Sequence, residues 1–288
     1  MYIKDILKTD KNTFSFEIFP PKVTSKIDSV LHTAQTLSKY QPDFISVTYG
    51  AGGGTSKNTA KIASFIENGC QIPALAHVTC VSSTKEEIAT VLDHLKLMGI
   101  QNILALRGDI PEGKIEFPNP LHYKYATDLM KEIKTRGDFC IGGACYPEGH
   151  PESTSKEADI EHLKRKEDMG CDFLITQMFF DNEMFYRFID KTQKYGLAIP
   201  AIPGIMPVIN AKQIQRSCKL SGATLTRKFQ RMIDKYQHNP DAMRQAGIAY
   251  ATEQITDLFS NDVRGIHLYT MNNPDIAAAI KQNISYLY

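Results

Sequence analysis

Eight short runs rich in β-branched and aromatic residues alternate along the chain with longer amphipathic stretches. Strand–helix–strand repetition of this kind builds a parallel sheet and leaves few other architectures open. The runs are FSFEIF from Phe14, FISVTY from Phe44, PALAHVTC from Pro73, NILALRG from Asn102, CIGGACY from Cys140, FLITQMFF from Phe173, IPAIPGI from Ile199 and GIHLYTM from Gly265. The stretches between them carry helix punctuation. In TKEEIATVLDHLKLMG, Thr84 and Glu87 form a capping box and Gly99 ends the helix. SKEADIEHLKRKEDMG repeats the design, with acids early, bases late and Gly170 as terminator.

Eight strands, each followed by helix, is the count of an α/β fold of the (β/α)8 TIM-barrel type. The segment from about 222 to 262 is read as extra helix between strands seven and eight. A doubly wound open sheet is the rival, but it favours fewer strands and a glycine-rich first turn. The first turn here is FPPK. No proline- or serine-rich linker divides the 288 residues, so 1–288 is expected to be a single domain.

Charge and composition exclude several classes of partner. With 33 basic and 32 acidic residues the formal charge is +1, which gives no basic surplus for nucleic acid. The longest apolar stretch, LAIPAIPGIMPVI, is too short for a bilayer and is interrupted by prolines. The first residues lack the apolar core of a signal peptide, and the six cysteines show neither a CxxC pair nor zinc-ligand spacing. A cytoplasmic protein without metal, whose cysteines act as small buried hydrophobes, is the expectation.

In a barrel, chemistry gathers where strands end at the carboxyl face. Those ends carry Glu17, Thr48 and Tyr49, His77 and Thr79, Arg107-Gly108-Asp109, Tyr146, Gln177, Pro207, and His267 with Tyr269. Glu17 stands in FSFEIFPPK, a carboxylate within an apolar run that stops at Pro20-Pro21. It reads either as a solvated or paired strand-end residue or as a functional acid, and the ring of polar strand ends favours the second. YGAGGGTS offers backbone N–H groups for phosphate but fits neither GxGxxG nor the Walker pattern, so a plain flexible turn remains open. LRGD is either a mutual salt bridge or a pair reading a polar ligand. YPEGHPES, followed by Asp159, Arg165 and Lys166, combines aromatic and basic groups suited to a phosphate-bearing cofactor with flat rings, or else displays a solvated helix face. Glu17 and Asp109 as a glycosidase pair is weakened by the absence of tryptophan, the usual platform for sugars.

Taken in order, FSFEIFPPK, ISVTYGAGG, LALRGD, YPEGHPE, LKRK, ITQMFFD, IPGIMPV and HLYTMN cover nearly the whole chain. As a set they resemble methylenetetrahydrofolate reductase of the bacterial type. The resemblance implies a (β/α)8 barrel that holds FAD non-covalently and uses NADH to reduce methylenetetrahydrofolate to methyltetrahydrofolate, supplying methyl groups for methionine synthesis. It also implies a homo-oligomer, and a catalytic domain without the regulatory domain of eukaryotic relatives. By the same resemblance Glu17 is the general acid that opens the one-carbon bridge, and Asp109 sits beside flavin and pterin. Gln177 bonds the folate and, with Thr48, lies close to NADH, while Gln213 touches substrate. Flavin contacts fall on Thr48, Tyr49, Ala51, His77, Arg107, Gly108, Asp109, Tyr125, Ala126, Tyr146, His150, Asp159, Arg165 and Lys166.

Opening the bridge requires a proton on a departing amine nitrogen, hence an acid whose pKa is raised by an apolar pocket. Glu17, flanked by Phe16, Ile18 and Phe19, is expected to be tuned in this way. Asp109 supplies negative charge where cation develops. The chain departs from the family pattern at Asn273, where many relatives place an arginine, at His162 for asparagine, at Met178 for phenylalanine, and at Ser217, where a ring is expected. Two other readings stand beside the reductase: a pterin-binding methyltransferase barrel without flavin, and a catalytically silent binding subunit. A yellow, flavin-bearing protein separates the first reading from both.

Overall fold

The computed structural model describes residues 1–21, 23–49, 56–110 and 117–288. Its strands are β1 Thr13–Ile18, β2 Ile45–Val47, β3 Ala74–Thr79, β4 Asn102–Leu106, β5 Cys140–Cys145, β6 Phe173–Thr176, β7 Ala201–Ile202, β8 Gly204–Ile205 and β9 Gly265–Tyr269. All pair in parallel, in the order β7-β6-β5-β4-β3-β2-β1-β9-β8. The two ends of that order are one strand. Pro203 separates β7 from β8 and has no N–H to give to a ladder. The strand therefore faces β6 before the proline and β9 after it: His267 N–H donates to the Pro203 carbonyl at 2.9 Å, and Gly204 N–H is taken by Thr176 Oγ1 at 2.9 Å. Counted this way the expected eight strands close into a barrel.

Helices α1 Ile3–Ile6, α2 Ile27–Ser38, α3 Ser56–Ser64, α4 Lys85–Leu97, α5 Ala126–Arg136, α6 Lys156–Asp168, α7 Asn182–Lys194, α8 Ala211–Ser221, α9 Arg227–Tyr236, α10 Pro240–Ser260 and α11 Pro274–Asn283 complete the chain. The capping box at Thr84 and Glu87 forms, and Gly99 and Gly170 take the left-handed conformations that end α4 and α6. The extra helix expected between strands seven and eight is α9 and α10. Among the described residues no helix is long and apolar enough to cross a membrane.

Strand alternation sorts side chains into two environments. Phe14, Phe16 and Ile18 point outward into the shell shared with α2 and the other helices. Inward positions fill the barrel floor with Leu75, Leu104, Cys140, Phe173, Ile175 and Ile202, plugged from below by Ile3. A separate apolar cluster of Met178, Phe180, Met206, Val208, Ile214, Phe229, Ile233 and Met243 seats α8, α9 and α10 beside the mouth.

Candidate active site

Above the apolar floor the inward positions turn polar. On β1 the inward residue Ser15 precedes Glu17 by two, and the ladders set Glu17 against Ser46 on β2 and Tyr269 on β9. Ser46 Oγ donates to Glu17 Oε2 at 3.2 Å, and the Nε2 atoms of His267 and His77 each lie 3.5 Å from the same oxygen. His267 is fully buried, with Ser15 Oγ 2.8 Å from its Nδ1 and Ser46 Oγ 3.1 Å from its Nε2.

The proton positions follow from counting donors. Ser15 Oγ donates to the Ile266 carbonyl at 3.1 Å, so His267 Nδ1–H is the donor to Ser15. Nε2 then carries a lone pair in the neutral ring. Ser46 has one hydroxyl proton and two acceptors, Glu17 and His267 Nε2. One acceptor is left short, so the cluster has a place for one further proton between Glu17 and His267.

This arrangement corrects the expected tuning of Glu17. Burial pushes its carboxyl up, but the His267 and His77 imidazoles and the Ser46 hydroxyl outweigh burial and hold it below the ordinary glutamate value. Phe16 and Ile18, which suggested an apolar pocket, face the helices on the other side of the strand. The residues that surround a strand side chain are two away, or on neighbouring strands. His77 goes further from its usual value: burial lowers its imidazole to about 4, and its Nε2 has no hydrogen-bond partner.

The candidate flavin residues lie on neighbouring strands, from β2 round to β5 and the helices that follow. Tyr49 hydroxyl is 3.4 Å from Ser83 Oγ, Thr48 is half-buried at the end of β2, and Tyr125 and Ala126 open α5. Ala51 and the rest of YGAGGGTS up to Thr55 fall outside the described residues. Gly108 is left-handed, with φ +84°, and an added Cβ would lie 3.0 Å from Thr79, so the backbone comes close to β3 there. Tyr146 and His150 meet edge to face at 4.6 Å, Asp159 accepts from the His150 N–H, and Lys166 Nζ donates to the Ala144 carbonyl at 2.6 Å. Burial lowers the Lys166 amine, and Arg165 is exposed on the same helix.

In LRGD the mutual salt bridge does not form. Arg107 forms a bidentate pair with Glu152, at 2.5 and 2.7 Å, while Asp109 stands exposed beyond the end of β4. Gln177 turns its Oε1 back to the Met178 N–H, and Gln213 is exposed in the first turn of α8. Asn273 is the N-cap of α11, and Ser217 is half-buried on α8. Sequence reasoning did not assign Ser15, Ser46, Glu152 or a proton-sharing role for His267. Ser15 was legible two residues before Glu17 on the same face; the others come from distant parts of the chain.

Thus Glu17, His77 and His267 are brought together, and Thr48, Arg107, Tyr146, His150, Asp159 and Lys166 border the same mouth. The residues present suit a dinucleotide of the flavin kind. Arg107, Arg165 and Lys166 would supply cations for a pyrophosphate, Tyr146 and His150 would supply rings, and His77 and Ser153 each keep a buried polar atom without a partner.

A family model described as methylenetetrahydrofolate reductase matches residues 2–285. The 5,10-methylenetetrahydrofolate reductase of Escherichia coli is 35% identical over 92% of this chain and 88% of its own length. Methylenetetrahydrofolate reductase (NADH) 1 of Arabidopsis thaliana is 33% identical over 99% of this chain and 50% of its own, so the chain spans about half the length of that plant relative. Among solved structures, an uncharacterised protein from Clostridium thermocellum that binds two copies of 5-methyl-5,6,7,8-tetrahydrofolic acid matches with a TM-score of 0.68. It is 14% identical over 100% of this chain and 99% of that one, a likeness of fold.

Proposed function

The chain belongs to the methylenetetrahydrofolate reductase family, and from that premise we propose that it reduces 5,10-methylenetetrahydrofolate to 5-methyltetrahydrofolate with NADH as electron donor and FAD bound at the barrel mouth. The observation that carries the reading is the cluster around Glu17, a carboxylate at the carboxyl face with two imidazoles and a hydroxyl on one oxygen. FAD, when bound, supplies hydride transfer between the two substrates. The chain's own work is to bind, orient and deliver a proton.

Glu17 delivers that proton to the departing amine nitrogen of the folate. Because its carboxyl is held low, it is not a reservoir waiting in protonated form at neutral pH. A proton entering the position between Glu17 and His267 Nε2 is delivered through Glu17 when folate binds. Arg107, Arg165, Lys166 and His150 bind the phosphate-bearing part of the cofactor, Tyr146 packs on its rings, and His77 Nε2 offers its unpartnered nitrogen. Asp109, free of other partners in the hydrogen bonds described, places an anion where positive charge develops on the folate. Gln177 and Gln213 give donor and acceptor groups to the pterin.

Anaerobic stopped-flow of the FAD-loaded protein separates the two halves of the reaction. NADH should bleach the flavin absorbance, and methylenetetrahydrofolate should restore it with formation of methyltetrahydrofolate. A colourless protein that takes up no added FAD would support a flavin-free pterin barrel or a silent subunit instead.

A further inference from the structure

β1 runs into Pro20-Pro21, and neither proline has an N–H. Phe19, just past the end of β1, is therefore the last residue before the prolines that can be tied by both of its backbone groups. Its partner strand β9 has by then left the ladder, because Met271 and Asn272 take left-handed conformations with φ of 52° and 55°. A side chain replaces the missing peptide. Asn272 Oδ1 accepts from the Phe19 N–H at 2.9 Å, and Asn272 Nδ2 donates to the Phe19 carbonyl at 2.8 Å. A carboxamide carries the same donor and acceptor as a peptide group, and asparagine tolerates the left-handed region better than other side chains of this kind. Two residues earlier, Thr270 grips the Glu17 carbonyl twice, through its N–H at 3.2 Å and its Oγ1 at 2.7 Å.

We propose that Asn272 is a positioning residue for Glu17, its carboxamide fixing the end of β1 to β9 and so setting the height of the carboxylate between His267 and His77. His267 rides on β9 itself, so the clamp registers the acid against its proton-sharing partner. Thr270 holds the backbone at Glu17; Asn272 holds it two residues on, where the strand would otherwise lift toward the mouth. A small displacement there is costly because an acid must lie within hydrogen-bond reach of the atom it protonates. The inference rests on the reading of Glu17 as proton donor.

The decisive variant is Asn272→Gly, since glycine keeps the left-handed backbone without strain and removes only the amide. In the FAD-loaded protein it should slow the folate half-reaction by about tenfold or more, while reduction by NADH stays within about twofold. Asn272→Asp, which keeps the acceptor for Phe19 N–H but sets an oxygen against its carbonyl, should behave alike. A second readout needs no turnover: the Glu17 carboxyl, followed by carbon-13 NMR in labelled protein without FAD, should titrate higher in Asn272→Gly than in the parent. Equal slowing of both half-reactions, or a lower melting temperature with the ratio of half-reactions and the Glu17 titration unchanged, would overturn the proposal and leave Asn272 a structural clamp. If Glu17→Gln itself spares the folate half-reaction, the underlying reading of Glu17 fails instead, and the two failures are told apart.

Discussion

The two sides of the barrel mouth hold their charges in opposite ways. On the β1–β9 side the ionisable groups meet inside the barrel at strand positions: Glu17 and His267 both contact Ser46, His267 also contacts Ser15, and His77 Nε2 lies 3.5 Å from Glu17. On the β4–β5 side the charges sit on loops and helices: Arg107 pairs with a Glu152 whose side chain is 57% exposed, while Asp159 and Lys166 are held by the His150 N–H and the Ala144 carbonyl. Strand positions fix a geometry before any ligand arrives. Loop positions leave cations that an incoming anion can capture by exchange. The proposed function places proton chemistry on the first side and cofactor capture on the second, in keeping with this difference.

Glu17→Gln tests that assignment with the largest effect. The amide keeps the shape but removes the transferable proton, so the folate half-reaction should fall by roughly 10²–10⁴. FAD binding and reduction by NADH should persist at near the parent rate. Equal loss in both half-reactions would mean that the two sides are not separate in function.

The next effect concerns acid sensitivity. His77 is lowered from 6.5 to about 4, so below pH 6.5 the unfolded chain binds a proton that the folded chain refuses. Stability should then be lost as pH falls from about 6.5 to about 4, by roughly 3 kcal/mol in all. Glu17 adds a second loss further down: its folded pKa is depressed, so its contribution is present above 4.5 and disappears as pH falls through the lower folded value. Urea midpoints of the FAD-free protein, taken from pH 7 downwards past 4, read this slope. In His77→Gln the upper window should flatten while the lower one remains; an unaltered slope would move its origin to another buried group.

On the other side, Glu152→Gln should leave stability almost unchanged, because a pair with one exposed partner is worth little. The Arg107 guanidinium is thereby released for an anionic ligand, and FAD should bind about three- to tenfold more tightly, measured by quenching of flavin fluorescence. Weaker binding would show instead that Glu152 belongs to the cradle.

The barrel was legible because alternation of period two and helix punctuation are local signals, and all eight runs appear at the expected places. The split at Pro203 shows how far that reading goes: one missing N–H divides a strand without changing the fold. Glu17 could be located from its strand end, but its environment could not, because Ser46, His77 and His267 reach it from other strands. The apolar neighbours in sequence even pointed the wrong way, since Phe16 and Ile18 pack outside the barrel. Arg107 was misleading for a similar reason: Asp109 is near in sequence, but the partner is Glu152 from the next loop along the sheet.

The smallest effect lies at Asn273, directly after the Asn272 clamp. The family resemblance led to the expectation of an arginine there and of a missing contact to the folate tail; the structure gives asparagine a task of its own. It caps α11, accepting from the Ile276 N–H at 3.4 Å with Pro274 at the first helical position. At that length the bond is weak, so Asn273→Ala should cost less than about 1 kcal/mol and leave folate affinity unchanged. Asn273→Arg loses the same cap and adds a cation at the positive end of the helix, a further few tenths, roughly 0.3 kcal/mol or more. If the position meets the tail, that variant should nevertheless bind folate more tightly, and the gain should fade as salt screens it. Chemical denaturation gives the stability difference and a folate titration at two salt concentrations gives the affinity. Equal affinity in the Ala and Arg variants would place the tail elsewhere and make Asn273 a helix cap alone.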